Sequence, residues 1–260
     1  MASVDLHYDE QGDPANPPLI IVHGFFASAR NWRYIATQLA QRYHVFTLDM
    51  RNHGASPHAE PMDYPTMAED LKAFVVNQGL TSVALLGHSM GGKVAMWFAL
   101  QYPALVQKLV IVDIAPVSYT HSFDLMINAL MAMPLSDLSN RKQADEWLGH
   151  AIAATNFRQF LLQNLILKEG QYQWRIDLAI FKRAAPYIVA FPVSDQVSPY
   201  TGSVLVLAGE RSNFAQADTF QALFPFAVFQ TIAHAGHWLH VDAPQAFLNA
   251  VQGYLDGGSF

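Results

Sequence analysis

The sequence predicts an α/β fold in which helices cover both faces of a mostly parallel central sheet. Along the 260 residues, short continuous runs of Leu, Ile and Val alternate with longer segments of helical periodicity. Continuously apolar runs are typical of strands that are buried on both faces, as parallel strands are. The composition is 52% hydrophobic and 14% charged, which indicates a large core and excludes an intrinsically disordered chain.

Six strands and four helices are predicted in the regularly alternating part of the chain. The strands are the apolar runs Leu19–Val22, Val45–Leu48, Val83–Leu86, Leu109–Val112, Val204–Leu207 and Ala227–Thr231. The helices are the periodic segments Trp32–Gln41, Thr66–Gln78, Gly91–Tyr102 and Pro244–Tyr254. Strands and helices that alternate at these lengths predict βαβ units with right-handed crossovers.

The alternation is interrupted between Val117 and Ala185 by a mostly helical stretch. Helical periodicity covers Phe123–Met133, Arg141–Ala153 and Phe157–Leu167, and a short hairpin is predicted around Glu169–Gln171. Ligands of open α/β sheets bind at the carboxyl ends of the strands. We therefore expect residues 117–185 to form a cap over a core made of residues 1–116 and 186–260. The alternative is a peripheral bundle of helices that only enlarges the hydrophobic core.

Composition and charge exclude several functional classes. There are 15 Lys and Arg against 21 Asp and Glu, and no basic run, which argues against nucleic acid or an anionic membrane surface as the main partner. The absence of Cys excludes a disulfide scaffold, a thiol nucleophile and a thiolate metal site. The first residues, Met1–His7, show no signal peptide, and no apolar run approaches the roughly 20 residues that span a bilayer. We expect a cytoplasmic protein without membrane insertion.

A nucleophile is predicted at Ser89, within the segment Gly87–Gly91, which follows a strand and opens a helix. A serine on so sharp a turn needs glycine neighbours, and the following helix offers its first N–H groups to a developing anion. The alternative is an ordinary glycine-rich turn that cradles a phosphate, but the spacing of a P-loop or a dinucleotide fingerprint is missing.

A serine hydroxyl needs a base, and His237 is the best placed of the 11 histidines. It lies after the last strand and before the final helix, and the Gly236 before it lets the loop approach the nucleophile. His234 and His240 are its rivals. The backbone N–H groups of Phe25 and Met90 are predicted to form a two-donor oxyanion hole.

Together, these segments resemble the α/β-hydrolase superfamily, and within it the bacterial YbfF-type esterases and their mitochondrial relatives. The matching segments are His23–Gly24, Asp49–Gly54, Gly87–Lys93, Val112–Val117 and Ala235–Trp238. The resemblance spans nearly the whole chain. It implies the α/β-hydrolase fold and hydrolysis of carboxylic esters, or of thioesters such as acyl-CoA, through an acyl-serine intermediate and without a cofactor or metal.

The third member of the triad is predicted to be Asp113, with Glu210 as the alternative. In most members of the superfamily the acid follows the penultimate strand, but Ser212 stands at that position here and Glu210 is displaced from it. Asp113 ends the strand after the nucleophile's helix, from where a carboxylate can reach the histidine, and the resemblance implies the same choice. A triad is defined by geometry and not by chain order.

The predicted reaction is a two-step acyl transfer on a small-molecule ester. Another chemistry on the same fold (carbon–carbon hydrolysis, a lyase reaction or peracid formation) and a ligand receptor without turnover are the alternatives. The acyl chain is expected to contact apolar cap residues, namely Phe123, Met126, Leu130, Met131, Trp147 and Phe157. Seven cap cations are candidate contacts for the phosphates of CoA: Arg141, Lys142, Arg158, Lys168, Arg175, Lys182 and Arg183.

Two further expectations concern charged residues outside the predicted triad. Arg51 is expected to be structural, as a buried fork against carbonyls or carboxylates. Asp63, Glu69 and Asp70 are expected to be solvated charges at the start of a helix. The histidine pair His53 and His58 is expected to be a chance spacing and not a metal site.

Overall fold

A seven-stranded sheet forms the centre of the protein, whose computed structural model describes residues 3–192 and 197–257. The strands are β1 (Tyr8–Gln11), β2 (Pro18–Val22), β3 (His44–Leu48), β4 (Val83–His88), β5 (Val106–Val112), β6 (Leu165–Lys168), β7 (Gln171–Trp174), β8 (Val204–Gly209) and β9 (Ala227–Ile232). The sheet order is β1-β3-β2-β4-β5-β8-β9, while β6 and β7 form a separate hairpin. All pairs in the sheet are parallel except β1 with β3, so the predicted sheet is confirmed.

The helices cover both faces of this sheet. They are α1 (Arg33–Leu39), α2 (Tyr64–Asn77), α3 (Met90–Gln101), α4 (Asp124–Met131), α5 (Arg141–Gly149), α6 (Thr155–Leu162), α7 (Leu178–Val189), α8 (Leu239–Asp242) and α9 (Pro244–Leu255). Side chains along a strand alternate between faces. In β2, Ile20 and Val22 join the core built with α2 and α3, whereas Leu19 and Ile21 join the core built with α1 and α9. Nowhere in the described ranges is a helix long and apolar enough to cross a membrane.

The segment between β5 and β8 holds α4 to α7 and the β6–β7 hairpin. The predicted helix Phe157–Leu167 was too long, because α6 ends at Leu162 and β6 begins at Leu165. The predicted hairpin is confirmed, with Glu169 and Gly170 in its turn at φ 51° and 80°. The predicted boundary at 185/186 lies inside α7. Residues 1–2, 193–196 and 258–260 of the predicted core lie outside the described residues.

A buried ion pair joins the loop after β3 to α2. Arg51 donates from Nε (2.5 Å) and from a terminal nitrogen (2.7 Å) to the carboxylate of Asp70, and its other terminal nitrogen donates to Pro61 O at 2.8 Å. Both side chains are at most 1% exposed. The structural role predicted for Arg51 is confirmed. The prediction that Asp70 is solvated was wrong. This residue lies on the face of α2 that packs against the core, and its carboxylate accepts the hydrogen bonds of the buried Arg51 guanidinium there.

Candidate active site

Ser89, Asp113 and His237 meet at the carboxyl edge of the sheet. Ser89 follows β4 and Asp113 follows β5, and these two strands are parallel neighbours. His237 lies in the loop between β9 and α8. Because the carboxyl ends of parallel strands lie at one edge, three segments that are far apart in the chain deliver their side chains to one place.

The turn that carries Ser89 is tight and strained. Ser89 has φ 52° and ψ −119°, a conformation that non-glycine residues rarely adopt. A Cβ on Gly87 would lie 2.2 Å from Gly91 O, and a Cβ on Gly91 would lie 2.3 Å from Val22 O. Glycine is therefore required on both sides of the serine, as the sequence predicted. The strained turn directs the half-buried hydroxyl away from the sheet, which is the geometry of an accessible nucleophile.

The carboxylate of Asp113 contacts the ring of His237. Asp113 Oδ2 lies 2.7 Å from His237 Nδ1, and Asp113 is fully buried, whereas the His237 side chain is 28% exposed. Since an ionised carboxylate only accepts hydrogen bonds, Nδ1 carries the proton and Nε2 is left as the basic nitrogen. Asp113 also accepts from Gly209 N at 3.0 Å and from Ser212 Oγ. Ser212, which the sequence marked only as a departure from the common pattern, is thus a hydrogen-bond partner of the Asp113 carboxylate.

Glu210 makes different contacts. Its carboxylate accepts from the backbone N–H of His234 at 2.7 Å and lies 3.4 Å from that residue's Nδ1. The side chain of His234 is 93% exposed. Asp113, and not Glu210, is therefore the carboxylate that the fold brings to His237. His234, the first rival of His237, lies in solvent.

His88 contacts the backbone of His237, a link that sequence reasoning missed. Its Nε2 lies 2.8 Å from His237 O, and the two rings are 4.7 Å apart. Burial, reinforced by the charge that His237 can carry, holds the pKa of His88 well below its usual range. A neutral imidazole that donates from Nε2 keeps the His237 loop in place. The two residues are 149 positions apart, so no local pattern signals the contact.

Phe25 and Met90, whose backbone N–H groups are the predicted oxyanion donors, line the same cavity as Ser89. Met90 is the first residue of α3, so its N–H has no acceptor within the helix. Gly24 O accepts from Ala27 N at 3.1 Å and from His23 Nδ1 at 2.8 Å. Because a peptide group is planar, holding this carbonyl also fixes the direction of the Phe25 N–H on its opposite side. The two donors predicted for an oxyanion hole are thus both at the edge where Ser89 lies.

The side chain of His23 is held in one tautomer. Its Nδ1 contacts Gly24 O, so it carries the proton, and its Nε2 accepts from Met50 N at 3.1 Å. Burial lowers the pKa of His23, because a charged ring would lose its hydration in this fully buried position. The neutral ring bridges the loop after β2 and the loop after β3.

A cavity of about 570 Å³ opens above these residues. Ser89 and His237 both line it, although their side chains share no direct hydrogen bond in the described part of the chain. Catalytic hydrogen bonds are often long in a free enzyme and tighten with substrate. Most of the cavity wall is apolar. Its aromatic and aliphatic residues include Phe25, Phe26, Trp32, Ile114, Phe123, Met126, Phe157, Phe160, Ile188, Phe214, Trp238 and Val241.

The apolar wall predicted from residues 117–185 is present in part. Phe123, Met126 and Phe157 line the cavity. Leu130 is buried in the hydrophobic core, while Met131 and Trp147 are 46% and 39% exposed. The helical pattern identified the apolar residues of α4 to α6, but it did not distinguish those facing the cavity from those facing the core or solvent.

Five of the seven cations predicted to contact CoA have protein partners. The guanidinium of Arg141 donates to Leu165 O at 2.6 Å and to Leu162 O, and the other contacts are Arg158 with Asp145, Lys182 with Asn128, Arg183 with Glu60 and Lys142 with Glu146. Of the Lys and Arg residues in the described ranges, Lys93 is the one that lines the cavity. Its buried Nζ donates to Val189 O at 2.9 Å and to Ala190 O at 2.8 Å. No group of three or more His, Asp or Glu side chains that could hold a metal occurs in the described residues.

The chain matches the family described as "alpha/beta hydrolase fold" over residues 17–244. It is 39% identical over 255 residues to the sn-1-specific diacylglycerol lipase ABHD11 of Mus musculus, covering 94% of this chain and 82% of the mouse protein. It is 33% identical over 250 residues to the esterase YbfF of Escherichia coli (strain K12), covering 95% of this chain and 96% of that protein.

Among solved structures, the chain is similar to one titled "Marine microorganism esterase". The two share 37% sequence identity with a TM-score of 0.92, and the match covers 97% of this chain and 100% of the other. Similarity at this level extends over the sheet, the helices and the segment between β5 and β8.

Proposed function

The chain belongs to the α/β-hydrolase family and is a carboxylic ester hydrolase, and we propose that it cleaves esters of short to medium-chain acids with the triad Ser89, His237 and Asp113. The observation that carries the triad is the 2.7 Å contact between Asp113 Oδ2 and His237 Nδ1 beneath a cavity that Ser89 also lines. The strained turn at Ser89 adds to it, because strain at a non-glycine residue is typical of functional positions.

In the first step, Ser89 Oγ attacks the ester carbonyl carbon while His237 Nε2 takes its proton. The negative charge that forms on the carbonyl oxygen is bound by the N–H groups of Phe25 and Met90. The imidazolium then protonates the leaving alcohol, and an acyl-serine remains. Asp113 keeps Nδ1 protonated and stabilises the charged ring, which is why a buried acceptor with fixed partners suits this position.

In the second step, a water molecule replaces the alcohol. His237 takes a proton from this water, the resulting hydroxide attacks the acyl carbon, and the same two N–H groups bind the second oxyanion. Collapse of this intermediate breaks the bond to Ser89 Oγ, which regains its proton from the imidazolium. No cofactor is needed in this scheme, because every proton and electron pair moves among the side chains, the ester and water.

The segment 117–185, continued to the end of α7 at Val189, is proposed to be a cap over the acyl pocket. Its residues Phe123, Met126 and Phe157 line the cavity opposite the sheet edge. An apolar wall of this kind favours an acyl chain over a charged group, since burial of apolar surface drives the binding. Relatives named as an esterase and a diacylglycerol lipase support ester substrates with apolar acyl chains.

Thioester hydrolysis stays a separate prediction. It depends on cap cations meeting the phosphates of CoA, and five of the seven candidates already contact protein groups. Salt weakens attraction between exposed charges. If the cations bind CoA, added salt should lower acyl-CoA hydrolysis more than hydrolysis of a neutral ester with the same acyl group. Equal salt responses would contradict the thioester prediction.

The triad is tested by Ser89→Ala together with labelling by a fluorophosphonate. We expect the variant to fold and to lose nearly all hydrolysis of p-nitrophenyl esters, and the reagent to label the natural chain at Ser89. Ser136→Ala is the matched control, because Ser136 is exposed in the proposed cap and its hydroxyl donates to the neighbouring Asp137. Labelling at another serine would contradict the assignment, and ligand binding without turnover would indicate a receptor.

A further inference from the structure

The side chain of Asn164 reaches from the segment between β5 and β8 into the loop that carries Phe25. Asn164 follows α6 and is 4% exposed. Its Nδ2 donates to Phe26 O at 2.8 Å and has a longer contact to Leu161 O at 3.4 Å. The two residues of the first bond are 138 positions apart, so this bond ties the proposed cap to the core loop.

Phe26 is held in a conformation that a phenylalanine rarely adopts. Its φ is 64°, and it occupies the third position of the turn closed by the bond from Ala27 N to Gly24 O. A positive φ at this position is typical of glycine or asparagine, because a Cβ makes it unfavourable. A bulky residue remains in such a conformation only when its surroundings hold it there.

We propose that Asn164 is a positioning residue that keeps the Phe25 N–H aimed at the oxyanion by fixing the Phe26 carbonyl. This inference rests on the proposed function. Phe26 O and Ala27 N–H belong to one planar peptide group, and Ala27 N donates to Gly24 O at 3.1 Å. Gly24 O in turn shares its peptide group with the Phe25 N–H, so a contact that holds Phe26 O also holds, through this hydrogen bond, the group that carries the donor. Without the Asn164 amide, the peptide group between Phe26 and Ala27 loses its contact with the segment between β5 and β8 and can change its orientation.

The consequence is that docking of the cap completes the oxyanion hole. The donor itself belongs to the core, but the group that fixes its loop comes from the proposed cap, between α6 and β6. Buried amide donors are costly to leave unpaired, so the Asn164–Phe26 bond is made whenever the cap is seated. The rings of Phe25 and Phe26 also pack against Phe123 and Phe181 of the same segment, but the Asn164 bond is the contact that acts on the backbone of the loop.

The test compares binding of a trifluoromethyl ketone with binding of the matching methyl ketone in Asn164→Leu. Ser89 Oγ adds to the fluorinated ketone, the carbonyl electron pair moves to oxygen, and His237 receives the proton, so this inhibitor reports on the hole. The methyl ketone occupies the pocket without the adduct. Loss of a whole oxyanion donor costs about 10²–10³ in kcat. For a misplaced donor we expect kcat and the affinity ratio of the two ketones to fall about tenfold or more, with KM little changed.

Arg158→Met is the matched control for general loosening of the cap. Arg158 also donates to backbone carbonyls and pairs with Asp145, but it does not contact the loop around Phe25. If Arg158→Met lowers Tm by about as much as Asn164→Leu does, it should still keep the ratio of ketone affinities of the natural chain. If it reproduces the fall, or if Asn164→Leu keeps the natural kcat and ratio, the proposal is wrong.

Asn164→Asp is the second variant in case Asn164→Leu does not fold. It keeps the shape of the side chain but replaces the donor with a carboxylate oxygen, which repels the Phe26 carbonyl. The same fall in the ketone ratio is expected, and an unchanged ratio overturns the proposal. If the natural chain neither hydrolyses esters nor forms the ketone adduct, the proposed function fails first, and that outcome is distinct from an effect of Asn164.

Discussion

At the scale of single residues, Asp113 and Ser212 show what the sequence can and cannot reveal about the site. The sequence drew attention to both, because Ser212 stands where an acid is common and Asp113 ends a neighbouring strand. It did not reveal that Ser212 Oγ donates to Asp113 Oδ2. The two residues are 99 positions apart, and only the parallel pairing of β5 with β8 brings them together. Pairwise contacts of this kind follow from the fold and not from a motif.

Asp113→Asn is predicted to lower kcat by orders of magnitude. An amide at this position can donate to Nδ1 and so favours the wrong tautomer of His237, and a comparable change in a serine protease lowers kcat by about 10⁴. The measurement is steady-state hydrolysis of a p-nitrophenyl ester, with circular dichroism to verify the fold.

Glu210→Gln is the control for that prediction, since Glu210 contacts His234 and not His237. Its effect on kcat should be small. Ser212→Ala should lower kcat by an amount between those of Asp113→Asn and Glu210→Gln. It removes one of several hydrogen bonds to the Asp113 carboxylate and leaves the others. A reversed order, with Glu210→Gln more damaging than Asp113→Asn, would mean that the acid lies after β8.

At the scale of elements, the buried parallel strands were the most predictable part of the fold. Continuous apolar runs mark them, and all six predicted runs are strands. β1 was missed because Tyr8–Gln11 is a half-buried edge strand without an apolar run. α6 was predicted too long because Leu165 continues the helical pattern, although it starts β6. α7 was missed because Pro186, which usually marks a break, lies within it.

Asp70 was misread for a related reason. On α2 it lies next to the exposed Glu69, and the local sequence does not reveal which of two adjacent carboxylates is turned to the core. Its distant partners explain the buried charge: Arg51, 19 positions earlier, donates to it, and so does the backbone N–H of Val4 at 2.9 Å. The pair connects the loop after β3 with a helix that packs on the sheet, so it belongs to the architecture and not to the site.

Asp70→Asn is predicted to destabilise the protein strongly. Removing one partner of a buried ion pair leaves the other charge uncompensated, which costs about 3–5 kcal/mol. The measurement is the free energy of unfolding from urea titration. The double variant Arg51→Met/Asp70→Leu is the comparison, because it removes both charges and should recover much of that loss. A double variant that is less stable than Asp70→Asn would contradict this account.

At the scale of the whole molecule, a few long-range polar contacts join the two parts of the chain around the cavity. Lys93, in the helix that follows Ser89, donates to the carbonyls of Val189 and Ala190 at the end of α7. Its ammonium also lies 4.6 Å from the ring centre of Tyr119. The sequence placed Lys93 within a motif without giving it a role. The first turn of α3 therefore has two roles. Its first residue follows the proposed nucleophile Ser89, and Lys93, four residues after Ser89, holds the end of α7.

Burial lowers the pKa of Lys93 to about 7, from 10.5 in solvent, and this predicts a pH-dependent contribution to global stability. Below pH 7 the folded and unfolded chains both hold the proton. Between pH 7 and 10.5 only the unfolded chain holds it, so raising the pH favours the folded state. A neutral amine keeps two N–H groups, which matches the two carbonyls that Lys93 contacts.

The stability of the natural chain relative to Lys93→Met is therefore expected to rise as the pH increases from about 7 to 10. Methionine keeps an apolar stem of similar length but cannot titrate, so the difference between the two Tm values isolates the contribution of the ammonium. Lys142→Met, which removes a charge from a side chain that is 85% exposed, gives the effect of deleting a positive charge at the surface. A difference for Lys93→Met that is flat with pH, or that follows the Lys142→Met curve, would show that Lys93 keeps its proton in the folded protein throughout this range.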